Sequence, residues 1–203
     1  MNLGILNYGM GNIQSIKNAM NFIDNKIKIS FLSKPSDLQN IDKVILPGVG
    51  AFPLAMELLN QKNWKESLHN EAQKGTFILG ICLGMQLLAN KSFEYGETQG
   101  LGLIPGEVKQ FYPSKKYRIP HMGWNNVDFV KPSFLFDDLE NKSDFYFVHS
   151  YVFDSINENV SGISYHGEKF PSVVQKDNVI GTQFHPEKSQ KAGLQLLKNF
   201  LKI

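Results

Sequence analysis

The apolar run Phe77-Ile78-Leu79 leads directly into Gly80-Ile81-Cys82-Leu83-Gly84. A run of that kind followed by Gly-x-Cys-x-Gly predicts a strand that turns sharply into a helix, with a nucleophile at the apex. Both glycines are needed because the turn crowds the backbone. A side chain at Gly80 or Gly84 would clash with the neighbouring strand and helix. A thiol at a helix start has its thiolate favoured by the unpaired N–H groups there. Taken alone, the pentapeptide fits a buried, inert core cysteine equally well.

The bulk properties narrow the setting. A chain of 203 residues, 42% hydrophobic and 20% charged, can form one globular domain over residues 1–203 with a substantial core. A net charge of +2 gives no reason to expect nucleic acid or a membrane surface as partner. Cys82 is the single cysteine, which excludes an internal disulfide framework and fits a reducing compartment. The start, Met1-Asn2-Leu3-Gly4-Ile5-Leu6, has no basic segment and too short an apolar stretch for a signal peptide. No stretch approaches the ~20 apolar residues of a membrane span. A cytoplasmic protein is expected.

Short apolar runs alternate with helix-period segments through the first half. Leu3–Leu6, Lys28–Leu32 and Lys43–Leu46 read as strands, the last ending at the turn Pro47-Gly48-Val49-Gly50. Residues 11–24 carry Ile13, Ile16, Met20 and Ile23 at helical spacing, and helices are expected near 51–60 and 63–74. This alternation predicts an α/β fold with an open, mostly parallel sheet and helices on both faces. From about residue 101 the texture changes. Glu107–Tyr112, Asn125–Val130, Phe145–Val152, Ser161–His166, Ser172–Gln175 and Val179–Phe184 read as strands with few helices between them, which predicts antiparallel additions. A last helix is expected from about Ser189, a candidate N-cap, with Leu194, Leu197 and Leu201 on one face.

A thiol nucleophile needs a base, and the base needs an orienting group. Among five histidines, His185 stands out in Gln183-Phe184-His185-Pro186-Glu187. Pro186 ends the preceding strand and leaves His185 and Glu187 at its exit edge. There they can converge with Cys82 in the crevice at the carboxyl ends of the strands. A surface His-Pro-Glu turn is the plain alternative. Acyl chemistry also needs donors for an oxyanion, and Leu83 N–H and the Pro47–Gly50 turn could supply them. Asn7-Tyr8-Gly9-Met10-Gly11-Asn12 lacks the third glycine of a dinucleotide site, so no such cofactor is expected. No histidine pair or cysteine cluster has metal-ligand spacing, so no metal is expected.

Four segments together resemble class I glutamine amidotransferases: Asn7–Asn12, Leu46–Phe52, Gly80–Gln86 and Gln183–Ser189. Pro120-His121-Met122-Gly123-Trp124-Asn125 and Tyr146-Phe147-Val148-His149-Ser150-Tyr151 resemble the branch that feeds ammonia to a (β/α)8-barrel cyclase in histidine biosynthesis. The resemblance implies that Cys82 attacks the side-chain amide of L-glutamine, His185 shuttles the proton and Glu187 orients His185. It implies an oxyanion site at Val49 and Leu83, flanked by Gly48 and Gly50. Gln86, Glu94, Ser150 and Tyr151 would hold the α-amino-acid end of the substrate. Met122, Trp124 and Lys188 would face the cyclase and the ammonia exit of a heterodimer, and no cofactor is implied. Asn7 stands where many members have Asp, and Thr182 where Val is frequent.

Three competing functions are weighed against this one. A related glutaminase could supply ammonia for amidine groups on surface sugars. The glutaminase of pyridoxal phosphate synthesis has a similar triad, but the Pro120–Asn125 segment argues against it. A non-catalytic interaction subunit is disfavoured by an intact Cys82, His185 and Glu187. Elsewhere, Phe22, Trp64 and Phe200 are expected to pack in the core or between helices. Lys115, Lys116 and Arg118 are expected in a solvated loop, and His69 and His166 at the surface.

Overall fold

The computed structural model describes residues 1–112, 117–155 and 157–203. Lys115 and Lys116 lie outside the described residues. In chain order the elements are β1 (Asn2–Leu6), α1 (Ile13–Ile23), β2 (Lys28–Leu32), β3 (Lys43–Leu46), α2 (Phe52–Gln61), α3 (Trp64–Gln73), β4 (Phe77–Ile81) and α4 (Leu83–Leu87). Then follow β5 (Lys91–Ser92), β6 (Thr98–Gln99), β7 (Gly106–Gln110), β8 (His121–Asn126), β9 (Asp128–Phe129), β10 (Asp144–His149) and β11 (Tyr151–Ser155). The chain closes with β12 (Val160–Tyr165), β13 (Lys169–Lys176), β14 (Val179–Thr182) and α5 (Gln190–Lys202). Among the described residues no helix is long and apolar enough to cross a membrane.

The main sheet has the order β2-β1-β3-β4-β14-β13-β12-β9. Its first five strands are parallel and its last three are antiparallel. Alternate residues of each central strand face opposite sides, and both sides are apolar. Leu3, Ile5, Ile45, Leu79 and Ile81 pack with α1 and α5 on one face. Leu6, Val44, Leu46 and Ile78 pack with α2, α3 and α4 on the other. Asn12 starts α1 by accepting from the Ser15 N–H at 3.2 Å.

Several second-half strands differ from the sequence expectation. The run Asn125–Val130 is broken at Val127, between β8 and β9. The run Phe145–Val152 is broken at Ser150: β10 pairs with β8, whereas β11 pairs with β7 in a separate sheet of order β11-β7-β5-β6. A continuous apolar run carries no mark of where a chain leaves one sheet for another.

Four local expectations are corrected. Phe22 is 78% exposed, whereas Trp64 and Phe200 are fully buried as expected. The buried face of α5 is Gly193, Leu196, Leu197 and Phe200, with Leu194 and Leu201 only partly covered at its sides. Ser189 occupies the N-cap position without capping the helix, because its hydroxyl is spent elsewhere. His69 and His166 are half-buried rather than free on the surface. His69 Nε2 lies 2.6 Å from the Leu101 carbonyl and His166 Nε2 2.9 Å from that of Arg118.

Candidate active site

Three parallel strands deliver the site. β3 ends at Pro47–Gly50, β4 at Cys82 and β14 just before Gln183–His185, so the three segments meet at the carboxyl edge of the sheet. Cys82 N–H donates to the Thr182 carbonyl at 2.8 Å, which ties the elbow to β14. Cys82 has φ 55°, a left-handed conformation uncommon for a side-chain-bearing residue and concentrated at functional turns. The turn is as crowded as the sequence predicts. A Cβ on Gly80 would lie 2.6 Å from the Gly84 carbonyl oxygen, and one on Gly84 would strike the Leu46 carbonyl.

His185 and Glu187 flank Pro186. Their side chains are 3% and 1% exposed, and His185 Nδ1 lies 2.8 Å from Glu187 Oε1. A carboxylate accepts, so Nδ1 carries a proton. His185 is held by its backbone: its N–H donates to the Tyr146 carbonyl at 2.9 Å, and its carbonyl accepts from Ser189 Oγ at 2.6 Å. Ser189 Oγ also accepts from the Tyr146 N–H at 2.9 Å. His185 Nε2 is buried without a hydrogen-bond partner among the described residues.

The Cys82 thiol donates to the Val148 carbonyl at 3.6 Å. It influences His185 electrostatically without meeting the geometry of a hydrogen bond to it. Burial acts to lower the His185 pKa, but the polar and charge interactions with Cys82 and Glu187 outweigh burial and raise it from 6.5 to about 9. His185 is therefore a strong enough base to take and hold the Cys82 proton at neutral pH. Burial pushes the phenol of Tyr8 well above its ordinary range, and Cys82 adds to the effect. Tyr8 OH donates to the Pro47 carbonyl at 2.9 Å and pins the turn beside the elbow.

A cleft of about 430 Å³ opens over these groups. Cys82 and His185 line it together with Val49, Gly50 and Leu83. Gln86, Glu94, Ser150 and Tyr151 line it as well. Gly48 lies against the elbow, where a Cβ would come 2.9 Å from Gly84 N. Gln86 Nε2 donates to the Tyr151 carbonyl at 3.0 Å and to Gln183 Oε1 at 3.1 Å. Glu94 Oε2 accepts from Phe52 N–H at 2.8 Å, and burial raises its pKa against that bond. Met122 and Trp124 share the exposed face of β8, 63% and 49% exposed, and Lys188 is exposed beyond His185.

Sequence reasoning missed Tyr95, Gln110, Ile119, Val148 and His149, all of which line the cleft. For His149 the signal is present in the sequence, since it directly precedes Ser150 and Tyr151. Tyr8 lies in the Asn7–Asn12 segment, whose resemblance implies no role for it.

The decisive comparison is with known families. Residues 5–203 match the model of the family glutamine amidotransferase class-I. The chain belongs to that family. The amidotransferase is 45% identical to imidazole glycerol phosphate synthase subunit HisH 1 of Campylobacter jejuni, over 99% of this chain and 100% of the relative. It is 45% identical to the HisH subunit of Desulfitobacterium hafniense, covering 98% and 92% of the two chains. The fold also resembles the structure of PurLQS from Thermotoga maritima, with a TM-score of 0.78 at 20% identity over 99% of this chain and 97% of the other.

Proposed function

We propose that this amidotransferase is the glutaminase subunit of an imidazole glycerol phosphate synthase, acting through Cys82, His185 and Glu187. The observation that carries the reading is the buried His185–Glu187 pair, 2.8 Å apart, in one cleft with the elbow cysteine. The Cys82 sulfur, its proton passed to His185 Nε2, attacks the side-chain carbonyl carbon of L-glutamine, and the negative oxygen is held by backbone N–H groups at Val49 and Leu83. His185 delivers a proton from Nε2 to the nitrogen, the C–N bond breaks, and ammonia leaves a glutamyl thioester. Water then attacks the thioester, His185 takes its proton and passes it to the departing sulfur, and glutamate leaves with the thiol restored. Glu187 fixes the tautomer throughout. Gln86, Glu94, Ser150 and Tyr151 hold the α-amino-acid end, with Gly48 and Gly50 giving the backbone access to the reacting carbonyl.

The ammonia passes to a cyclase subunit, which we take to be a (β/α)8 barrel docked on the face carrying Met122, Trp124 and Lys188. A sheltered route has a chemical reason: at neutral pH free ammonia becomes ammonium, which is no nucleophile. Near-full-length similarity to HisH subunits favours imidazole ring formation over amidination of a surface sugar. The test is the glutaminase rate of the purified chain, alone and with a candidate cyclase and its ribulosyl ligand. The expected result is slow hydrolysis alone and marked acceleration in the complex. Equal rates would overturn the assignment to the synthase.

A further inference from the structure

Two histidines beside the cleft take no part in the triad. His121 on β8 and His149 on β10 are cross-strand partners, 3% and 6% exposed. His121 Nδ1 lies 2.9 Å from His149 Nε2. The surrounding bonds leave one consistent arrangement of protons. Asn125 Oδ1 accepts from the Asn126 N–H at 2.9 Å. Its Nδ2 therefore faces His121 Nε2 at 3.2 Å and the Tyr165 carbonyl at 2.9 Å. An amide nitrogen only donates, so His121 Nε2 accepts. A neutral ring accepting at Nε2 carries its proton on Nδ1, and His121 Nδ1–H donates to His149 Nε2. By the same logic His149 Nδ1–H donates to the Tyr151 carbonyl at 2.9 Å.

Both rings are neutral at physiological pH. Burial lowers His121 to about 4, helped by the charge of His166. Burial lowers His149 to about 3, helped by His121, His166 and His185 and opposed by the bond to Tyr151. The donor chain Asn125→His121→His149 ends on the carbonyl that also accepts from Gln86 Nε2 at 3.0 Å. His149, Ser150 and Tyr151 all line the cleft.

We propose that His149, locked in one tautomer by His121 and Asn125, is a positioning residue that fixes the Ser150–Tyr151 backbone and the Gln86 side chain for the α-amino-acid end of glutamine. The proposal rests on the glutaminase reading given above. It gives the paired histidines a task in substrate binding and none in proton transfer.

The experiment uses the complex with the cyclase, and the unsubstituted glutaminase rate is measured first. His149→Phe keeps a ring and removes the donor. Its KM for glutamine should rise about tenfold with kcat within about threefold. His149→Gln, whose amide can again donate to Tyr151, should recover most of the loss. His121→Phe removes only the bond that locks the tautomer and should raise KM about threefold. In the unsubstituted protein, nitrogen-labelled histidine spectra should report both rings as the neutral Nδ1–H tautomer. An Nε2–H tautomer at His149 overturns the proposal. So does an unchanged KM in His149→Phe, or in His121→Phe if the first variant fails to fold. A wild-type complex that does not hydrolyse glutamine would overturn the glutaminase reading instead, and the tautomer measurement would still judge the histidine chain.

Discussion

His185 and His149 line one cleft and are both buried, at 2% and 6% exposure, yet they hold opposite charge states. His185 faces the Cys82 sulfur and a carboxylate at 2.8 Å, and the two together raise it to about 9. His149 faces a second imidazole and a carbonyl, and is lowered to about 3. Burial pushes both rings the same way, so the partner decides the sign. A proton is kept available beside Cys82 and excluded from the Ser150–Tyr151 side of the same cavity. On the reading proposed above, one wall serves proton transfer and the other shape.

The largest effect should come from the proton-handling wall. Cys82→Ala should lower glutamine-dependent synthesis by the complex about 10⁴-fold or more, while synthesis from added ammonium salt continues. Survival of the glutamine-dependent rate would remove Cys82 from the mechanism. Glu187→Gln keeps the size of the side chain and removes its charge. Glutaminase kcat should fall about 10³-fold. The His185 midpoint, followed by NMR, should fall below about 9 by the share that Glu187 contributes, with Cys82 still holding it up. A midpoint that stayed near 9 would mean that Cys82 alone, without Glu187, sets the sign.

The two walls should also leave opposite marks on stability. His185 is raised above its unfolded value of 6.5, so its pairing stabilises fully below about pH 6.5 and fades as pH rises through about 9. His121 and His149 lie below theirs, so their contribution is full above about pH 6.5. It is lost as pH falls toward about 4 and about 3. Urea midpoints should therefore peak near neutrality and fall on both sides. Glu187→Gln should flatten the alkaline limb and His149→Phe the acid limb. Limbs that respond alike to both variants would break the contrast between the walls.

The proton-handling wall was far more legible in the sequence than the shaping wall. Cys82 is announced by an apolar strand with glycines where a Cβ would strike backbone, and His185 by a proline that stops the next strand. These are local signals, and the sheet order then joins them without further choice. The His121–His149 pair exists only through the β8–β10 register, which sets two residues 28 positions apart opposite each other. No local pattern fixes that register, and the unbroken run Phe145–Val152 concealed that Ser150 is the point where the chain changes sheets. Ser189 teaches the same lesson, since its side chain joins β10 to His185 rather than capping α5.

Lys43 extends the contrast to a third buried base and carries the smallest expected effect. It is 4% exposed on β3 and donates to the main-chain oxygens of Phe200 at 2.7 Å, Leu201 at 3.0 Å and Ile203 at 2.6 Å. All three of its donors are used to close the end of α5. Two of its direct partners are carbonyls, like the one below His149, and burial again lowers its pKa although Asp42 nearby opposes the shift. If the partner decides the sign, Lys43 acts as a tether for α5 and takes no part in catalysis. Lys43→Met should then cost about 1–3 kcal/mol in urea denaturation, because the helix end loses its donors. Amide exchange should quicken in the last turn of α5, and kcat for glutamine should stay within about twofold of the unsubstituted complex. An unchanged denaturation midpoint would show that packing alone holds α5, and would confine the rule to the two histidine walls.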